Sequence, residues 1–165
     1  MFETVLKNGK IVDGTGNPWY IADIGIQGDR ITDIGNIDEA QAAKVMDVRG
    51  LVVSPGFIDS HSHADFVLPL KDHMEILGSY LAQGITTLVV GNCGLSPAPI
   101  NPKHRELLKD YTGFLLADDI GWNWTSMDGY LEQIESSKVG YNVVPLVSHG
   151  AIRIAVMGFD TALPD

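Results

Sequence analysis

An α/β protein led by an all-β segment is what this 165-residue sequence predicts. Three observations predict it. Short alternating segments separated by turn residues run to about residue 54. From Leu51 onward, apolar strands alternate with helical stretches. The residues capable of chemistry fall where those strands end.

In the first part, ETVLKNG, KIVDGTGNP, ADIGIQGD, RITDIGNI, AKVMDVRG and LVVSPG follow one another. Asn8-Gly9, Asp13-Gly14, Gly16-Asn17-Pro18, Gly28-Asp29 and Gly35-Asn36 sit between apolar runs and read as turns. Gly14 and Gly16 do not make a dinucleotide fingerprint, because no glycine follows at the required spacing and Pro18 occupies the stretch.

The second part opens with Leu51 to Ile58, which reads as a buried strand. Lys71 to Gln83 spaces Met74, Leu77 and Leu81 as a helix does, with Gly84 as its stop. Ile85 to Val90 is a second strand. Helices are expected at about 102–116 and 126–137, the latter started by Thr125 or Ser126 with Asp128 in its first turn. Asn142 to Val147 is a third strand, and the tail from Gly150 to Asp165 opens a further helix. Continuous apolar strands in β, α, β, α, β order argue for a parallel sheet covered by helices.

Composition narrows the function. Eleven basic against 21 acidic residues give a formal charge of −10. With no basic stripe, nucleic acid and anionic membrane surfaces are poor partners. One cysteine cannot form an internal disulfide, and Glu3 and Lys7 interrupt the start where a secretory signal would be apolar, so a reducing, cytoplasmic setting is expected. No stretch approaches the roughly 18 apolar residues of a membrane span.

The strongest chemical signal is Pro55-Gly56-Phe57-Ile58-Asp59-Ser60-His61-Ser62-His63. Side chains alternate along a strand, so His61 and His63 point the same way and form half of a metal site at the end of an apolar strand, where parallel α/β folds bind ligands. Asp59 and Asp65 share their parity. Asp59 either orients a ligand or ties its strand to a neighbour. The second signal is Gly91-Asn92-Cys93-Gly94 at the end of the next strand. A thiolate beside two imidazoles suits Zn²⁺. The third is Val147-Ser148-His149-Gly150 with Arg153 after it. His149 is a pocket residue or a structural one, and Arg153 binds a substrate carboxylate or caps a loop. His73 and His104 are expected to face solvent, while Trp122, Trp124 and the five methionines read as packing. Asn123-Trp124-Thr125 matches a glycosylation sequon only formally, since secretion is not expected.

Together, the Pro55–Asp65 stretch, the Gly91–Pro99 loop, the Tyr141–Arg153 stretch and the N-terminal Ile11-Val12-Asp13-Gly14-Thr15-Gly16 and Asp23-Ile24-Gly25-Ile26 runs resemble the start of the amidohydrolase superfamily. The cysteine loop followed by Ser96-Pro97-Ala98-Pro99 narrows the resemblance to the D-aminoacylase family (N-acyl-D-amino-acid deacylases). It implies an incomplete TIM-type (β/α)8 barrel over residues 55–165, preceded by an N-terminal β-sandwich segment over residues 1–54. It further implies zinc-dependent hydrolysis of N-acyl-D-amino acids with one or two ions. His61, His63 and Cys93 are then metal ligands, Cys93 on the tightly held metal. The family's other two histidines and its catalytic aspartate are expected beyond Asp165, with the rest of the enzyme as partner. A cyclic-amide hydrolase of the hydantoinase or dihydroorotase type is the alternative enzyme, against which the loop cysteine speaks. A non-catalytic binding or assembly module is the alternative outside catalysis. A barrel takes about 250 residues, roughly 31 per unit, so the residues after position 54 make about three and a half units. By themselves the 165 residues are expected to be neither a stable monomer nor an active deacylase.

Overall fold

The computed structural model describes residues 1–163; Pro164 and Asp165, the end of the expected tail, lie outside the described residues. The chain divides into two compact units, Met1–Pro55 and Gly56–Asp165.

The first unit is a five-stranded sheet of β1 (Phe2–Ile11), β2 (Tyr20–Gln27), β3 (Arg30–Gly35), β4 (Ala42–Asp47) and β5 (Val52–Val53). Its order is β3-β2-β1-β4, with β5 also paired to β1. The β2 and β3 strands form a hairpin through Gly28-Asp29, as the turn residues predict. Asn8-Gly9 is not a turn. It lies within β1, where the register with β2 shifts and Asn8 takes φ +63°. Asp23 is the reason the bulge holds: its buried carboxylate accepts from the Asn8 N–H at 2.9 Å, the Ile37 N–H at 3.0 Å and Lys7 Nζ at 2.7 Å. Val5, Ile11 and Ile24 are buried, whereas Ile21, Ile31 and Val52 are exposed. The described residues of this unit make one sheet. A groove of about 330 Å³ on it is lined by Leu6, Ile24, Ile26, Ile31 and Ile34, among others.

In the second unit, β6 (Phe57–Asp59), β7 (Ile85–Val90) and β8 (Asn142–Pro145) form a parallel sheet in the order β6-β7-β8. Helix α1 (His73–Ala82) joins β6 to β7, α2 (Arg105–Thr112) and α3 (Met127–Ser136) join β7 to β8, and α4 (His149–Met157) follows. Ser126 caps α3 through its hydroxyl, which accepts from the Gly129 N–H. Leu88 and Val90 of β7 enter a core with Leu77, Leu108, Tyr130 and Ile154 from the four helices. This is a mixed α/β fold.

The single strand expected over Leu51–Ile58 is two strands in two sheets. Ser54-Pro55-Gly56 separates β5 from β6, because proline has no N–H to offer a ladder. Nor is it buried: Phe57 and Ile58 are 61% and 66% exposed. Consecutive strand residues point to opposite faces, so both faces of β6 are open here at the edge of the sheet, and apolarity alone does not tell a strand covered within the unit from one left open. Two histidines also depart from expectation. His73 is buried, with Nδ1 donating to the Leu70 carbonyl, and His104 is half-buried, with Nδ1 donating to the Ile154 carbonyl. Both rings answer carbonyls that helix periodicity does not reveal. Trp122 and Trp124 are buried as packing residues, and Met127 packs on the core, but Met1, Met46 and Met74 are exposed. Among the described residues, no helix is long and apolar enough to cross a membrane.

Burial alone would raise the Asp23 carboxyl, but its hydrogen bonds to Ile37, Lys7 and Asn8 outweigh burial and hold it below the ordinary 3.8. A depressed folded-state value means that its stabilisation is complete above the unfolded value and disappears as pH falls through the folded one. Asp23→Ala is expected to cost about 3–5 kcal/mol, because it leaves the largely buried Lys7 ammonium with the Ile37 carbonyl alone and removes the acceptor of the Asn8 and Ile37 N–H groups. Urea unfolding of the full-length protein measures the cost. The variant should also lack the part of the wild-type stability loss below about pH 4 that Asp23 causes.

Candidate metal centre

Asp59 ends β6, and the next four residues run on beside β7 without forming regular strand. The Ser62 N–H donates to the Val89 carbonyl at 3.0 Å, and Asn92 Nδ2 donates to the carbonyls of Ser62 at 3.2 Å and Val89 at 2.8 Å. Ser62 Oγ accepts from the Ala64 N–H and starts the single helical turn Ala64–Phe66. Both histidines are thereby held at the end of β7 by main-chain bonds, leaving their rings free. The Asp59 carboxylate accepts from the His61 main-chain N–H at 3.1 Å. It thus fixes the backbone of His61 rather than an imidazole or a neighbouring strand.

At the end of β7 the chain leaves the sheet through Gly91, at φ +81° and ψ +21°. A tight turn over Asn92–Gly94 follows, in which Cys93 itself has φ +57°. A non-glycine residue in this region stores strain, and such residues concentrate at functional sites. The turn presents an exposed thiol to the histidines: His61 Nε2 lies 3.0 Å from Cys93 Sγ. The His61 and His63 rings meet edge to face, 5.7 Å between centroids. One ligand atom each from His61, His63 and Cys93 lies within 4.8 Å of the others.

These residues fit a metal ion. Zinc bonds of about 2.0–2.3 Å in tetrahedral arrangement separate ligand atoms by about 3.3–3.8 Å, a range that lies between the 3.0 Å of the His61–Cys93 pair and the 4.8 Å within which all three atoms fall. Burial lowers the His63 pKa, with a smaller contribution from the charge of His61, so the ring favours the neutral form that coordinates. His63 Nδ1 is buried without a hydrogen-bond partner.

The other sequence-derived residues stand apart from this cluster. His149 is the exposed first residue of α4, one helical turn from Arg153, and both line a groove of about 220 Å³ with Ile152, Val156 and Met157. The Arg153 guanidinium donates to the carbonyls of Asp160 at 2.7 Å and Ala162 at 3.4 Å, so it braces the segment after α4. Of the two roles open to Arg153, the structure displays the loop cap. Asp65 does not face the histidines' cluster as a ligand. It is fully buried, with Oδ2 accepting from the Gly91 N–H at 3.1 Å, and burial pushes its pKa up to about 7 despite that bond. Gly91 makes the sharp turn that the glycines flanking the cysteine loop predict. Asn92 and Ser148 also shape the site, though the sequence reading assigns them no part; a small hydroxyl before a helix is the only signal Ser148 offers.

Comparison with known proteins places this geometry in context. The profile described as "Amidohydrolase family" matches residues 44–158. A D-aminoacylase from Alcaligenes xylosoxydans xylosoxydans is 37% identical over 156 residues, 94% of this chain and 31% of that protein. A solved D-aminoacylase described as having a binuclear metal centre has a TM-score of 0.77 at 36% identity, covering 95% of this chain and 32% of its own. The N-acyl-D-glutamate deacylase from Bordetella bronchiseptica, solved with zinc and a phosphonate mimic of the tetrahedral intermediate, has a TM-score of 0.78 at 32% identity, covering 99% of this chain and 33% of its own. The chain therefore spans about a third of the length of these relatives.

A Cβ on Gly91 would fall 2.2 Å from the Leu146 carbonyl oxygen, and one on Gly150 would fall 2.3 Å from that of Gly94. Gly91→Ala is expected to cost at least about 1–3 kcal/mol from backbone strain alone. An unchanged urea midpoint for the full-length variant would show that the exit from β7 relaxes freely.

Proposed function

The chain belongs to the amidohydrolase family, and from that premise we propose that it is the N-terminal part of a zinc-dependent deacylase of N-acyl-D-amino acids. The observation that carries this reading is the convergence of His61, His63 and Cys93 at two adjacent strand ends. A thiol in this position favours the deacylases over the cyclic-amide hydrolases, and the relatives named above act on linear N-acyl-D-amino acids by their names.

In this reading residues 1–54 are the N-terminal part of a β-sandwich, and residues 55–165 open a TIM-type barrel. The strand order supports the barrel. Successive parallel strands lie side by side as β6-β7-β8 with no reversal, whereas a doubly wound sheet reverses at a switch point. The exposed Phe57 and Ile58 then face space that further strands of the enzyme fill.

His61, His63 and Cys93 would hold one or two zinc ions, which supply Lewis acidity toward the amide carbonyl and lower the pKa of water. The chain's own contribution is to present the donors in the right state. Burial lowers the His63 pKa and so favours its neutral form, and Asp59 fixes the main chain of His61. Proton transfer to the leaving amine calls for a carboxylate facing this cluster. Asp65 is turned away to the Gly91 N–H, so the reading places that carboxylate on a later strand of the enzyme. His149 is assigned to the wall of the substrate pocket, with Arg153 holding the segment beside it. A free thiol ligand suits a reducing, cytoplasmic compartment.

The test uses the full-length enzyme and hydrolysis of N-acetyl-D-amino acids against their L-isomers, with zinc measured by elemental analysis. Cys93→Ala should lose most of the zinc and, with it, activity by about two orders of magnitude or more. His61→Ala should lower activity while retaining part of the metal. Unchanged zinc in Cys93→Ala would return the thiol to a packing role.

A further inference from the structure

Gly91 has both of its main-chain polar groups taken by side chains from the two neighbouring strand ends. Its N–H donates to Asp65 Oδ2 at 3.1 Å, and its carbonyl accepts from Ser148 Oγ at 2.6 Å. Asp65 comes two residues after His63, and Ser148 precedes α4 beyond β8. Both side chains are buried, Asp65 completely and Ser148 to within 3% exposure. Asp65 is itself held in place, because Tyr130 of α3 donates its hydroxyl to the Asp65 carbonyl at 2.8 Å.

These bonds do not join the strands, which are already joined. The Ser62 N–H reaches the Val89 carbonyl and the Leu146 N–H reaches the Val90 carbonyl, so β7 is bonded on both sides up to its last residue. The Asp65 and Ser148 bonds act one residue further on. They pin the two peptide planes that flank the Gly91 Cα, and pinning both planes sets its φ and ψ and hence the direction in which the chain leaves the sheet. Two residues later that direction determines where the Cys93 thiol stands. Asp65 Oδ1 is meanwhile buried with no partner, so the Gly91 N–H is the bond that its carboxyl side chain makes.

We propose that Asp65 and Ser148 are positioning residues of the metal centre, a two-sided clamp on Gly91 that sets the distance between the Cys93 thiol and the His61–His63 pair. The proposal rests on the metal-centre reading above. Neither side chain belongs to the donor cluster. They act on the cluster through the main chain of Gly91, as groups outside a ligand set commonly do.

The test is zinc affinity of the full-length enzyme, stripped of metal and titrated in competition with a chelator, with cobalt(II) as a second probe whose thiolate absorption band reports the bond to Cys93. Asp65→Ala and Ser148→Ala are each expected to weaken zinc binding about 10- to 100-fold and to diminish the cobabalt–thiolate band. Asp65→Asn, which keeps an acceptor oxygen for the Gly91 N–H, should recover most of the affinity. Leu108→Ala, a cavity in the same core away from the clamp, should lower the melting temperature yet leave zinc affinity within about threefold. Ser148→Ala removes only a hydroxyl and keeps the test decisive if Asp65→Ala is insoluble. If zinc binds the wild type and is lost in Cys93→Ala, but the clamp variants bind it no more weakly than Leu108→Ala, the clamp is overturned and the metal centre stands. A wild-type enzyme that takes up neither metal overturns both.

Discussion

Everything at this site depends on how the chain leaves β7. At Gly91 the main chain turns into the left-handed region with its N–H bonded to Asp65 and its carbonyl to Ser148, while the Leu146 main chain lies where a side chain would stand. Three parallel strand ends are drawn to one residue. Only glycine satisfies the conformation and the close approach together.

The donor cluster is a consequence of that convergence. The Ser62 main-chain N–H and the Asn92 side-chain amide hold the histidine segment against β7, and the turn after Gly91 brings Cys93 Sγ to 3.0 Å from His61 Nε2. The arrangement keeps the polar main chain satisfied while leaving two imidazoles and a thiol directed at one point. Strain at Cys93 and an unpartnered oxygen on Asp65 are local costs of this convergence.

The exposed apolar residues follow from the same architecture. Helices α1 to α4 cover the face of the sheet that carries Leu88 and Val90, while Phe57, Ile58 and Val144 remain open to solvent. In the first unit, Ile21, Ile31 and Val52 are likewise exposed on a single sheet. Both observations agree with a chain that spans about a third of the length of its relatives.

Much of this was legible in the residues alone, because local rules govern it. Glycine and asparagine pairs marked the Gly28-Asp29 hairpin, helical spacing located α1, and Ser126 announced the start of α3. The residue types of the cluster and their positions at successive strand ends could also be read. The same local rules misplaced Asn8-Gly9 as a turn, because the bulge there is held by Asp23, fifteen residues away in sequence. They ran one strand through Pro55, and they sent His73 and His104 to solvent although distant packing buries the rings to different degrees. Only the tertiary structure decided that His104 meets the Ile154 carbonyl and that Asp65 and Ser148 meet at Gly91. Those pairings join residues up to 57 positions apart. Periodicity and turn chemistry report a residue's immediate neighbours, and the partner of a buried polar group is chosen by where packing brings the chain back.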